Sequence, residues 1–115
     1  MDSHPKDEID AARFAAVDMR VGQVSAVEDF PEARNPAWKV AVDFGPLGTL
    51  WTSAQVRNYS RDELLGRLVV GAVNLGTRRV AGFRSQFLLL GAVDGDSVVR
   101  LLSPDAGAKP GDPVA

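Results

Sequence analysis

The chain has 115 residues, with 13 Lys and Arg against 15 Asp and Glu, a single His, no Cys, and 45% apolar residues. This fits one soluble globular domain and leaves no room for two. Such a chain buries roughly two-thirds of the surface it exposes when unfolded, so one core forms without disulfides or metal.

The missing cysteines exclude a disulfide framework, a thiolate metal site and a thiol nucleophile. His4 stands in a polar N-terminal tail, where it serves neither a metal nor a serine triad. Neither G-x-x-x-x-G-K-[ST] nor G-x-G-x-x-G occurs, so ATP-driven chemistry has no phosphate cradle. Glu28, Asp29 and Glu32 read as a solvated acidic loop beside Arg34 rather than an acid/base pair. The expectation is a non-enzyme without metal or cofactor. The N-terminal stretch lacks the basic start and apolar core of a secretory signal. The longest apolar run, Phe87 to Val93, falls far short of the roughly 20 residues that cross a bilayer. A cytoplasmic protein with no membrane insertion is expected.

Charge is unevenly spread. Residues 1–10 hold four acids and one base and residues 92–115 four acids and two bases, which leaves ten bases and seven acids, a net of +3, in 11–91. No acid lies between Glu63 and Asp94, where Arg67, Arg78, Arg79 and Arg84 stand. That half can carry a positive face.

In chain order, an acidic N-terminal segment, 1–13, precedes a domain, 14–115. Ile9, Ala12, Phe14 and Ala16 predict a short, poorly amphipathic helix within Asp7 to Val17. From Arg20, Val21, Val24 and Val27 predict a strand that ends by Phe30-Pro31, with Gly22 permitting the bend of a small barrel. After the loop Pro31 to Pro36, Trp38, Val40, Val42 and Phe44 alternate with Lys39, Ala41 and Asp43 as a half-buried strand. The turn Gly45 to Gly48 leads to a returning strand, Thr49 to Ser53. Ser60-Arg61-Asp62-Glu63 is a capping box that starts a short helix closed at Gly66. Apolar strands follow at Leu68 to Leu75 and Gln86 to Ala92, separated by a basic loop, Gly76-Thr77-Arg78-Arg79, and a turn at Gly82. A last strand spans Ser97 to Leu102. The order of three strands, a helix and two strands predicts an all-β, five-stranded Greek-key barrel of the OB-fold type. The helix lies between strands 3 and 4, with an N-terminal helix and a C-terminal strand as extensions.

The chemistry left is that of binding. Arg34, Lys39, Arg78, Arg79 and Arg84 suit phosphates and carboxylates. Ser53, Gln55 and Ser85 suit backbone groups, and Trp51 suits a base or an apolar side chain. Such a surface can hold RNA or an unfolded polypeptide. Trp38 reads as core, whereas Phe83 and Trp51 fit either core or surface.

Phe30-Pro31-Glu32-Ala33-Arg34, Asp43-Phe44-Gly45, Ser53-Ala54-Gln55 and Val73-Asn74-Leu75, then Arg78-Arg79-Val80-Ala81-Gly82-Phe83 to Ser85, appear in order. In these segments the chain, from about Phe14 onward, resembles the CsaA protein-export chaperones, which belong to the tRNA-binding-domain group of OB-folds. The resemblance implies a homodimer without catalysis, whose positive groove near the dimer interface accepts unfolded preprotein segments. By position, that groove would draw on Arg34, Lys39, Ser53, Gln55, Arg78, Arg79 and Arg84. The chain departs from the family at Leu50 and Trp51, where a basic residue and Gln are usual. It departs again at Gly76-Thr77 for Pro-Pro and at Gln86 for Glu. The expected function is an ATP-independent chaperone for unfolded or export-destined polypeptides; the alternative is a module that binds tRNA or another structured RNA.

Overall fold

The computed structural model describes residues 4–115, so the first three residues of the acidic segment lie outside it. Five antiparallel strands build the barrel: β1 (Met19–Asp29), β2 (Trp38–Asp43), β3 (Thr49–Ala54), β4 (Leu68–Ala72) and β7 (Leu88–Leu89), in the spatial order β3-β2-β1-β4-β7. The helix α2 (Arg61–Leu64) follows β3, as expected. Between β4 and β7 rises a small hairpin, β5 (Arg78–Val80) and β6 (Phe83–Ser85), and a second hairpin, β8 (Gly91–Val93) and β9 (Val99–Leu101), follows the barrel.

β1 serves two neighbours. Its first half pairs with β4 and its second with β2, with a register shift at Ser25 between Val24 and Ala26. One extra residue bends a strand and increases its twist, which turns β1 around the barrel. Glycine supplies the room. A Cβ on Gly71 would lie 2.8 Å from the Phe87 ring and 2.9 Å from the Phe44 ring, and one on Gly22 would run into Val42. These absences let Phe44 and Phe87 meet edge to face at 5.0 Å in the core. Val40, Val42, Leu64 and Val69 fill the remainder and are fully buried.

The barrel ends are stopped by specific contacts. Ser60 Oγ accepts from Glu63 N–H at 3.1 Å and Glu63 Oε1 from Ser60 N–H at 2.8 Å, the expected capping box, which drives Leu64 into the barrel. Trp38 is core, with its indole N–H donating to Tyr59 O at 3.0 Å and the Arg57 guanidinium 3.7 Å from the ring centroid.

Several elements differ from expectation. The N-terminal helix, α1, is only Ala11–Ala15: Asp10 makes no side-chain cap and no residue of the helix is buried, so nothing extends it. The strand expected over Leu68 to Leu75 ends at Ala72, and that over Gln86 to Ala92 breaks into β7 and β8. Of the basic loop only Gly76 and Thr77 are irregular, since Arg78 and Arg79 stand on β5. The C-terminal segment also pairs unexpectedly with β1, through Gly111 N–H to Val21 O at 2.7 Å, Val21 N–H to Asp112 O at 2.9 Å and Val114 N–H to Met19 O at 2.9 Å.

Candidate ligand-binding surface

The barrel closes between β3 and the segment leading into β7, largely through side chains. Gln86 N–H donates to Trp51 O at 2.7 Å, and Gln86 Oε1 accepts from Trp51 N–H at 2.9 Å. Beside this pair runs a relay. Ser53 N–H donates to Ser85 Oγ at 3.3 Å, Ser85 Oγ and Thr52 Oγ1 share a hydrogen bond of 2.8 Å, and Thr52 Oγ1 donates to Phe87 O at 2.9 Å. Thr52 has a single hydroxyl proton, so Ser85 must donate to Thr52. Ser85 is thus fixed within the wall, and the amide of Gln86 holds the seam.

Past Ser53 the seam opens into a groove of about 450 Å³. Val56, Leu75, Val80, Leu88 and Leu89 supply much of its apolar lining, with Ser53, Gln55 and Arg78 among its polar residues. Leu75 and Leu88 are 57% and 51% exposed.

A second concavity, about 460 Å³, is lined by Glu28, Lys39, Trp51, Gly82, Phe83, Arg84 and Gln86. Its aromatic part is a chain of edge-to-face contacts, Phe30 to Phe83 at 5.5 Å and Phe83 to Trp51 at 6.3 Å. Lys39 Nζ stands 4.9 Å from the Phe30 ring centroid and 5.0 Å from that of Phe83. Its charge is therefore partly committed to ring faces.

The hairpin tip carries positive φ at Ala81 (48°) and Gly82 (80°), the conformation of a two-residue hairpin turn. Arg79 and Arg84 are direct cross-strand partners and so share one face, whereas Arg78 pairs with Ser85 on the other. The sequence-predicted arginines are divided rather than gathered. Lys39, Trp51 and Arg84 share the aromatic concavity, and Ser53, Gln55, Arg78 and Ser85 share the seam groove. Arg34 lines a third hollow with Phe30, Pro36 and Arg57. Glu28, Phe30, Leu75 and Leu88 line these surfaces but were not among the expected binding residues, since outward strand acids and exposed apolar side chains carry no signal of a groove.

Charge pairing separates two sets of arginines. Arg20 pairs with Asp18 at 2.6 Å, Arg100 with Asp94 at 2.8 Å, and Arg57 and Arg61 both with Asp29 at 3.5 and 3.9 Å. Among the described residues no ion pair involves Arg34, Lys39, Arg78, Arg79 or Arg84. Hydrogen bonds from Arg100, Val98 and Asp96 hold the Asp94 carboxyl below the usual carboxylate range, and the Ser60 amide does the same for Glu63. Among the described residues no group of three His, Asp or Glu is placed to hold a metal ion, and no helix is long and apolar enough to cross a membrane.

Comparison with known proteins decides the family. The putative tRNA-binding domain family matches residues 19–113. The crystal structure of the CsaA chaperone protein from Picrophilus torridus is 42% identical and superposes with a TM-score of 0.89, covering 94% of this chain and 100% of that one. The chain belongs to the CsaA family of tRNA-binding-type domains. The chaperone CsaA of Bacillus anthracis is similar in the same way, 37% identical with a TM-score of 0.90, over 95% of this chain and 100% of that one. Methionine–tRNA ligase 1 of Sorangium cellulosum is 40% identical over 99 residues, 85% of this chain. The chain spans only 14% of that ligase's length. In this CsaA-family barrel the expected five-stranded architecture and the expected kinship are both present.

Proposed function

We propose that this protein is an ATP-independent chaperone that binds extended segments of unfolded or export-destined polypeptides. The observation that carries the reading is the seam groove, an apolar trough at a strand edge with Arg78 among its lining residues. Trp51 and Ser53 present their amides to that edge and are satisfied by Gln86 and Ser85, and the next such position, Gln55, lines the groove. An extended peptide can lie along such an edge while apolar pockets take alternate side chains. The likeness to proteins described as CsaA chaperones, over their whole length, supports the same reading.

The ligand-binding domain is residues 14–115, with the acidic segment 1–13 outside it. The protein acts in the cytoplasm as a homodimer. Two-fold closure is the commonest soluble assembly, and Phe14, Val93 and Leu102, 53%, 54% and 48% exposed, stand outside both grooves as surface to bury.

The test is Leu75→Ser with Leu88→Ser. Both side chains are half in solvent, so melting should change little while suppression of aggregation of a chemically denatured client is lost. Full suppression by the double variant would remove the groove from the peptide site.

A second reading, binding of tRNA or another structured RNA, is favoured by the opposed pair Arg79 and Arg84. Like charges directly across a hairpin repel, and a phosphate between them would reverse that term. The kinship with the tRNA-binding domain family supports it.

A further inference from the structure

We infer that the aromatic concavity is a pocket for one unstacked nucleobase, with Trp51 and Phe83 as its walls and Arg84 and Arg79 taking an adjoining phosphate. The inference rests on the RNA reading of this face and assigns it a base-reading position separate from the seam groove. Four observations converge. Trp51 and Phe83 are half-buried rather than core, and their rings stand nearly perpendicular, at 85°, within a concavity of about 460 Å³. A partly exposed indole next to open space is a stacking platform that every base can use. The flanking guanidinium of Arg84 is exposed, has no carboxylate partner among the described residues, and is opposed by Arg79. A phosphate within reach of both would relieve their repulsion.

The third observation is Glu28. It sits across from Lys39 in register, yet Lys39 is drawn over the Phe30 and Phe83 rings and forms no ion pair with it. An ionised carboxylate in a basic phosphate site is unfavourable unless the ligand brings donors to it. It accepts only, as it does from the cytosine amino group. The fourth is Gln86, whose Oε1 is spent on Trp51 N–H, so its side chain offers the pocket only its amide donors. A base with an exocyclic amino group beside a ring acceptor, as in adenine and cytosine, meets both residues. Uracil's only donor on that edge is N3–H, set between two carbonyls whose lone pairs repel the Glu28 carboxylate.

No residue lines both this pocket and the seam groove: Gly82, Phe83 and Arg84 line the pocket, and Arg78, Val80 and Ser85 line the groove. A nucleotide and an extended peptide can therefore be held at once.

The test uses short single-stranded oligoribonucleotides of A, C or U, with inorganic polyphosphate as a base-free probe, read by tryptophan fluorescence and by anisotropy. Trp38 is core, so stacking should quench Trp51, and the quench should vanish in Trp51→Phe while affinity is largely kept. Trp51→Ala should weaken A and C oligonucleotides about tenfold or more and leave polyphosphate unchanged. Glu28→Gln should bring U level with A and C. Equal binding by Trp51→Ala, with loss only in Arg79→Ala/Arg84→Ala, would overturn the base pocket but keep the RNA reading. No oligonucleotide binding by the parent would overturn both. Quenching by an aromatic peptide, and not by any oligonucleotide, would assign the pocket to polypeptide and overturn the inference.

Discussion

The paired variant Arg79→Ala with Arg84→Ala separates the two ligand surfaces. The two residues are Cα partners on a hairpin of three residues a side, both are exposed, and among the described residues the only hydrogen bond of either side chain is Arg79 Nη1 to Gly82 O at 3.5 Å. Two unit charges about 6 Å apart in a water-like medium repel by about 0.7 kcal/mol. Screening near 0.15 M salt, with a Debye length of about 8 Å, reduces that to roughly 0.3 kcal/mol. Their removal should thus raise the melting temperature by about 1 °C or leave it unchanged. For RNA, each lost phosphate contact lowers the salt slope by roughly one. The variant's slope should then be shallower by about two, so between about 0.05 and 0.2 M salt the parent loses roughly fifteenfold more affinity than the variant does. The assay is anisotropy of labelled tRNA across that salt range, beside client-aggregation suppression on the same samples. Suppression should stay at the parent level, because neither arginine lines the seam groove. Unchanged slopes would refute the phosphate assignment, and a parallel loss of tRNA affinity and client protection would refute the separation of the two surfaces.

Other expectations follow from single positions. Gly71→Ala places a Cβ within 2.9 Å of two buried rings that cannot swing aside. It should cost about 1–3 kcal/mol, seen as a thermal melt lower by several degrees; an unchanged melt would mean the Phe44–Phe87 packing is loose. Thr52→Val removes the hydroxyl that serves both Ser85 and Phe87 O, an unsatisfied-group cost of about 1–3 kcal/mol that denaturant titration will measure; near-neutrality would mean the relay is dispensable. The folded-state pKa of Asp94 lies below its unfolded value, so the turn's contribution is complete above the ordinary carboxylate pKa of about 4 and is lost as pH falls through the lowered value. Asp94→Asn should flatten the acid limb of melting temperature against pH, and an identical limb would exclude Asp94 as a source. Light scattering at micromolar concentration should give twice the chain mass; a monomer mass would end the homodimer proposal.

What the sequence made legible depended on side-chain periodicity. Trp38, Val40, Val42 and Phe44 marked β2, and Ser60 with Glu63 marked the start of α2, because burial and capping each demand particular residues at fixed offsets. The β5–β6 hairpin was hidden, since three-residue strands are too short for alternation to register and its turn is Ala81-Gly82 rather than an Asn-Gly pair. Reading Arg78 and Arg79 as loop also left the arginines grouped as one positive face, whereas pairing sends Arg78 to one face and Arg79 and Arg84 to the other. The C-terminal segment pairs with β1 chiefly through backbone groups, with Arg20 adding one bond to Gly111 O, and amides leave no trace in a Pro- and Gly-rich tail. Lys39 was visible as an outward base, but one of the rings that hold it, Phe83, comes from the hairpin, far away in the chain.

The arrangement of candidate surfaces follows from how the barrel closes. A continuous ladder between β3 and β7 would satisfy both edges and leave no groove. Here β7 is two residues long and pairs with β4 only, so the β3 side is met by Gln86 and by the hydroxyls of Thr52 and Ser85. Side-chain bonds reach their partners at one level and then stop, and the next level of the seam stands open beside apolar residues from both sides. The chain between β4 and Gln86 must leave the barrel and return at this gap, which it does as the β5–β6 hairpin. Strand alternation on that hairpin then directs adjacent residues to opposite faces. The single step from Arg78 to Arg79 thus carries the chain from the apolar groove, where a peptide edge is favoured, to the face it shares with Arg84, where a phosphate is favoured.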